Sequence, residues 1–171
     1  MSGSIEIGSY VLYGKTGVCL VKELTTLSHS GSTAAEYYVL LPISDNRTSV
    51  YVPRSNPDLV ARMCPLLSRT EIDALLAGAG DDVMQWVDDR QQRGTLYRAV
   101  INGNDRRALI RLIRCLYTRK EVRQAAGKRL SSMDENALLE CVRLVEEEFS
   151  IVLGIPTADV EAYVRKHIRL K

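Results

Sequence analysis

The chain has 171 residues, of which 46% are hydrophobic and 26% charged, with a formal net charge of +2. That length suits one large domain or two small ones, and that apolar fraction supports a packed core, which excludes a disordered chain. No apolar run nears the roughly 18 residues of a membrane span, and the opening MSGSIEIGSY lacks a basic stretch followed by an apolar one, so a soluble cytoplasmic protein without a signal peptide is expected.

The first sixty residues read as strands. YVLYG, GVCLVKEL, EYYVLLP and TSVYVP are short runs rich in Val, Tyr, Thr and Leu. GKTG, SHSGSTA and SDNR separate them with turn and loop chemistry. Four or five such strands predict a small antiparallel barrel.

Helical signals come next. SRTE at 68–71 is a capping box, in which Ser68 bonds the backbone ahead and Glu71 reaches back. A short helix over 69–77 is expected, ended by Gly78 and Gly80. A second helix is expected from near Asp81 to about Ile101, broken by NGN at 102–104. Asn104 would cap a third, from Asp105 to about Ala126, with Gly127 ending it. There Leu109, Leu112, Ile113 and Leu116 share one face, while Arg107, Arg111, Arg114 and Thr118 share the other. SMDE at 132–135 reads as another capping box, opening a helix to about Leu153 with Leu138, Leu139, Val142, Val145 and Phe149 buried. GIPT stops it, and Thr157 would cap a last helix. The expected fold is α+β in two domains: residues 1–60 as a β-barrel and 61–171 as an all-α bundle of four to five helices.

Charge is unevenly placed. Residues 90–129 hold twelve Lys or Arg against Asp105 and Glu121, so this block alone carries +10. Residues 131–171 sum to −3. A concentrated basic block points to a polyanion partner, and the competing interpretation is a solvated helix face.

Catalytic patterns are tested and fail. Gly14-Lys15-Thr16 is the ending of a phosphate-binding P-loop, but the position five before Gly14 is Ser9, and YVLY between them reads as a strand. GVCLVKEL, directly after Thr16, is strand-like too, so no helix N-terminus would face an anion. Lys15 and Thr16 are turn residues. His29 and His167 have no Ser or Cys with an orienting partner in a suggestive pattern. Cys19, Cys64, Cys115 and Cys141 form no CxxC pair. No enzyme, metal, cofactor or small-molecule substrate is expected.

The ordered pieces VLYGKTGVCLV, EYYVLLP, SVYVP, LLSRTEIDALL, QWVDDRQQR, LIRLIRCLYTRKE, KRLSSMDENALLECVRLVEEEFSIVLGIP and VEAYV resemble the CarD/CdnL family of bacterial transcription regulators. The resemblance implies a Tudor-like barrel, shared with transcription-repair coupling factor, that docks on the lobe of the RNA polymerase β subunit, partly by pairing a strand edge. It carries that docking role onto Leu27, Tyr38, Arg47, Val50 and Tyr51. It also implies that the helices sit on promoter DNA at the upstream edge of the melted bubble, without reading sequence, and stabilise the open complex. Trp86 would wedge into the minor groove, and Arg90, Arg93, Arg107, Arg111, Arg114, Lys128 and Arg129 would hold phosphates.

Asp88 and Asp89 follow Trp86, and positive charge resumes only at Arg90 and Arg93, so contact through Arg90, Arg93, Lys128 and Arg129 is the firmer expectation. Val83, Trp86 and Val87 also have the spacing of a buried helical stripe, which leaves a core role for Trp86 open. The alternative function is a protein-only module, using the barrel edge and pairing its basic stripe with an acidic protein surface.

Overall fold

A computed structural model describes residues 5–28 and 30–168, so His29, in the SHSGSTA loop, lies outside the described residues. The chain divides into two compact units, Met1–Leu66 and Leu67–Lys171.

The first unit is a five-stranded antiparallel sheet. Its strands are β1 (Tyr10–Leu12), β2 (Val18–Leu27), β3 (Ala35–Pro42), β4 (Val50–Pro53) and β5 (Cys64–Pro65), in the order β4-β3-β2-β1-β5. The order ends at β4 on one side and β5 on the other, so the sheet is an open half-barrel where a barrel was expected. The β2–β3 register shifts between Val21 and Glu23. That bulge bends the sheet, as an extra residue in one strand does. Val11, Cys19, Val21, Leu40, Val52 and Met63 form the core on one face.

Two short elements lack a readable sequence period. Helix α1 (Pro57–Ala61) is capped by the Asn56 side chain, which accepts from the Asp58 and Leu59 amides. The two residues of β5 pair with Val11 and Leu12, which carries the unit past residue 60 to Leu66. GKTG joins β1 to β2. Gly14–Thr16 is a single 3₁₀ turn, Gly17 donates to the Gly14 carbonyl, and φ of 88° at Gly17 is a region that glycine enters without strain. A strand follows this turn, so the geometry is that of a hairpin and not of a P-loop.

The second unit is helical: α2 (Arg69–Gly78), α3 (Arg90–Asn102), α4 (Arg106–Ala125), α5 (Ser132–Leu153) and α6 (Thr157–His167). The Ser68–Glu71 capping box forms in both directions. Leu109, Ile110, Leu112 and Leu116 of α4 are buried, as are Leu138, Cys141, Leu144, Val145 and Phe149 of α5. Leu139 was expected in that stripe but is 60% exposed, because the buried stripe runs through 138, 141, 145 and 149, one residue round the helix.

The caps differ in detail from the sequence reading. Asp105, not Asn104, caps α4 by accepting from the Arg107 and Ala108 amides. Ser131, not Ser132, caps α5. Pro156 precedes α6, and Thr157 is its first residue. The largest difference lies at 81–89, where a helix was expected and the chain has no regular secondary structure. Asp89 caps α3 through the Gln92 amide, so the helix starts at Arg90.

Two buried ion pairs fix the helices. Arg93 Nε donates to Asp134 Oδ1 at 2.8 Å, Tyr97 Oη donates to the same oxygen at 2.8 Å, and Ser131 Oγ donates to Oδ2 at 2.6 Å. Arg106 grips Glu148 with two nitrogens, at 2.9 and 2.8 Å, and Glu148 also accepts the Leu67 amide. Burial would raise the Asp134 carboxyl, but hydrogen bonds from Arg93, Ser131 and Tyr97 outweigh it and hold the carboxyl below its ordinary value. Burial also pushes the Cys141 thiol up to about 12, which keeps it inert.

Removing one partner leaves a buried uncompensated charge, so Asp134→Ala should cost about 3–5 kcal/mol in urea denaturation. Because the folded carboxyl is depressed, the unfolded chain takes up the proton first. The Asp134 contribution is therefore complete above about pH 4 and is lost as pH falls through the lower folded value. Asp134→Asn should flatten that acid limb of the stability curve.

Candidate nucleic-acid and protein interfaces

The basic block does not fold into an open basic face. Five of its cations pair with four carboxylates from outside the block: Arg93 with Asp134, Arg106 with Glu148, Lys120 with Glu135, and both Arg107 and Arg111 with Asp82. Arg107 Nε is 2.6 Å from Asp82 Oδ2, and Arg111 Nε is 2.9 Å from Asp82 Oδ1. These contacts lower the Asp82 carboxyl, led by the Arg107 hydrogen bond. Arg114 donates to the Ala79 and Gly80 carbonyls. Arg90, Lys128 and Arg129 are exposed, and no carboxylate pairs with them among the described residues.

Arg93 departs most from its expected role. It is 8% exposed, and beyond Asp134 its Nη1 donates to the Val87 and Asp88 carbonyls, each at 2.9 Å. A side chain so committed is a structural clamp, not a phosphate contact. The charge pattern could not reveal a partner 41 residues away.

Trp86 is neither in the helical core nor free. It lies half-buried on the irregular 81–89 segment, with the Arg93 guanidinium carbon 4.5 Å and that of Arg119 4.7 Å from its ring centroid. Such cation–π contacts attract through the ring quadrupole. The indole N–H donates to Asp88 Oδ1 at 3.0 Å. A shallow groove bounded by Val83, Met84, Trp86, Cys115, Thr118 and Val122 runs where this segment lies along α4. Arg119 escaped the sequence reading, although it follows Cys115 by one helical turn.

On the sheet, the five expected docking residues separate. Tyr38 and Val50 lean on the core cluster. Leu27 is half-buried at the end of β2. Arg47 is exposed in the β3–β4 connection, where the Asp45 carboxylate accepts its amide and the Thr48 hydroxyl, which lowers the Asp45 carboxyl. Tyr51 is 50% exposed on edge strand β4.

Backbone parity makes Tyr51 the open position. Arg54 N donates to Glu36 O at 2.9 Å, and the register pairs Val52 with Tyr38 and Val50 with Leu40. In an antiparallel ladder the bonded pairs alternate, so residues 50, 52 and 54 point their amides at β3 and Tyr51 points its N–H and C=O outward. Pro53 fits the same edge, where a missing N–H breaks no ladder bond.

Residues 5–64 match the family model described as the CarD-like/TRCF RID domain. The first unit is therefore similar to a CarD-like/TRCF RID domain. This family comprises RNA polymerase-interacting domains, which are protein-interaction modules and not catalytic ones. No curated protein matches the chain. Among the described residues, no helix is long and apolar enough to cross a membrane.

Because the Trp86 ring lies outside the buried core, Trp86→Ala should leave the protein folded, with a loss of about 1–2 kcal/mol. Thermal denaturation should show a decrease of a few degrees, about 2–4 °C per kcal/mol for a chain of this size.

Proposed function

We propose that the chain is a CarD-type transcription regulator. Its Tudor-like RID domain docks on the lobe of the RNA polymerase β subunit, and its helical unit holds promoter DNA at the upstream edge of the bubble, stabilising the open complex in the cytoplasm. The observation that carries the polymerase half is the family match over residues 5–64, on a sheet whose β4 edge leaves Tyr51 unpaired. Strand addition at such an edge draws affinity from main-chain hydrogen bonds, with neighbouring side chains such as Tyr51 and Arg47 adding specificity. Leu27 completes that surface, while Tyr38 and Val50 support it from the core side.

The DNA half rests on the exposed cations Arg90, Lys128 and Arg129, together with Arg107, Arg111 and Arg114 of α4. These would bind phosphates without sequence preference, and the half-buried Trp86 would supply the apolar wedge. The protein-only reading draws support from the internal pairing of five basic side chains. A steep loss of duplex affinity with salt separates the two, because counterion release accompanies phosphate contact.

Retention on purified core polymerase, with and without promoter DNA, tests the first half. The protein should be retained without DNA. Tyr51→Pro removes one outward N–H while leaving the amides that bond β3, so retention should drop at least about tenfold with little change in melting temperature. Absence of retention for the unaltered protein would sink the proposal, and undiminished retention of Tyr51→Pro would sink the edge mode.

A further inference from the structure

Most of the helical unit's expected DNA contacts are held by a single segment, residues 79–89. Its Asp82 bridges Arg107 and Arg111, its Ala79 and Gly80 carbonyls accept from Arg114, and its Val87 and Asp88 carbonyls accept from Arg93. Its one aromatic, Trp86, lies against Arg93 and Arg119. We propose that this segment is an acidic strap that fills a phosphate site on α4 in the free protein, with the Asp82 carboxylate standing where the oxygens of a phosphodiester would lie between Arg107 and Arg111. This rests on the DNA reading above and adds its regulation.

Three observations carry it. First, Arg107 and Arg111 are one helical turn apart and bring their Nε groups close to the two oxygens of a single carboxylate, Arg107 by a hydrogen bond and Arg111 by an ion-pair contact. Two guanidinium groups converging on one oxyanion suit phosphate as well as carboxylate. Second, the two ends of the strap are held differently. At 87–88 it is clamped by Arg93, whose own partner Asp134 is buried. Toward its start it is held by Arg114 at the Ala79 and Gly80 carbonyls and by Arg107 and Arg111 at Asp82, and the Arg107 and Arg111 side chains are 61% and 36% exposed against 9% for Arg93. Solvent-exposed pairs are weak and salt-sensitive, so this end is the one a polyanion can displace. Third, residues 81–88 form neither helix nor strand, so no regular ladder of hydrogen bonds is lost there when the strap lifts.

Displacement would free Arg107 and Arg111 together and loosen the segment that carries Trp86. Phosphate binding and Trp86 exposure would then be coupled through one element.

The test compares Asp82→Asn with the unaltered protein and with Glu121→Gln. Glu121→Gln makes the same charge change on exposed α4 surface, three residues beyond Thr118 on the arginine stripe. Fluorescence anisotropy with a labelled mixed-sequence DNA duplex should give affinity about three- to tenfold tighter for Asp82→Asn, with a steeper fall with salt. Glu121→Gln should gain less than half of that. Without DNA, amide exchange over 80–86 should speed up in Asp82→Asn, and the emission of Trp86, the single tryptophan, should shift to the red.

If the unaltered protein binds the duplex and Asp82→Asn gains no more than Glu121→Gln, the strap is wrong and the DNA reading stands. Unchanged exchange over 80–86 in Asp82→Asn would also overturn it. If none of the three proteins binds duplex DNA, the DNA reading falls and takes the phosphate site with it.

Discussion

The helical unit depends on the buried pair between Arg93 and Asp134. Asp134 sits in the first turn of α5, where a carboxylate is favoured by the exposed amides of the helix start, and it accepts from Arg93, Tyr97 and Ser131 together. The pair therefore ties α3 to the start of α5. Arg93 then uses Nη1 on the Val87 and Asp88 carbonyls, and its guanidinium lies over the Trp86 ring. One guanidinium sets the helix contact, the path of the preceding segment and the position of the indole. A charge buried this deeply contributes through its full set of partners, and any one deletion leaves the others unsatisfied.

That commitment changes what the basic block means. In the sequence, twelve cations against two acids look like a continuous polyanion surface. In the fold, four acids drawn from 82, 134, 135 and 148 meet five of those cations. The remaining exposed positive charge includes Arg90 and Arg98 on α3 and Lys128 and Arg129 after α4. Charge surplus in a sequence window measures composition, whereas a binding surface requires cations whose partners lie outside the molecule.

Signals that act within a few residues were readable from the sequence. The strand runs, the Ser68–Glu71 box, the hairpin nature of GKTG and the buried leucines of α4 follow from period, cap chemistry and β-branching, all local. Asp89 was readable too, as an N-cap three residues before Gln92, but the spacing of Val83, Trp86 and Val87 imitates a helical stripe and hid it. Val83 is 63% exposed in a segment without regular secondary structure, so the imitation carried no burial. β5 was invisible because two residues have no period, and only pairing with β1 makes them a strand. Arg93 was misassigned because its partner comes from a distant helix. Tyr38 and Tyr51 looked alike as aromatic strand residues, and only register and sheet order separate a core-facing tyrosine from one on an open edge.

The two candidate surfaces therefore work by different physics. At β4 the available groups are the N–H and C=O of Tyr51, neutral dipoles whose hydrogen bonds respond little to ionic strength. On α3 and α4 the available groups are guanidinium and ammonium ions, whose attraction to phosphates weakens steeply as salt rises. Internal competition exists only on the second surface, where the Asp82 carboxylate already occupies two arginines. On the sheet, the flanking proline and the shortness of β4 limit self-pairing instead, by leaving few amides to extend a ladder. An edge that offers so few bonds needs a partner whose side chains also fit Tyr51 and its neighbours, so selectivity there comes from shape. On the basic surface, under the proposed strap, it would come from the density of negative charge needed to outcompete a carboxylate held within the same chain.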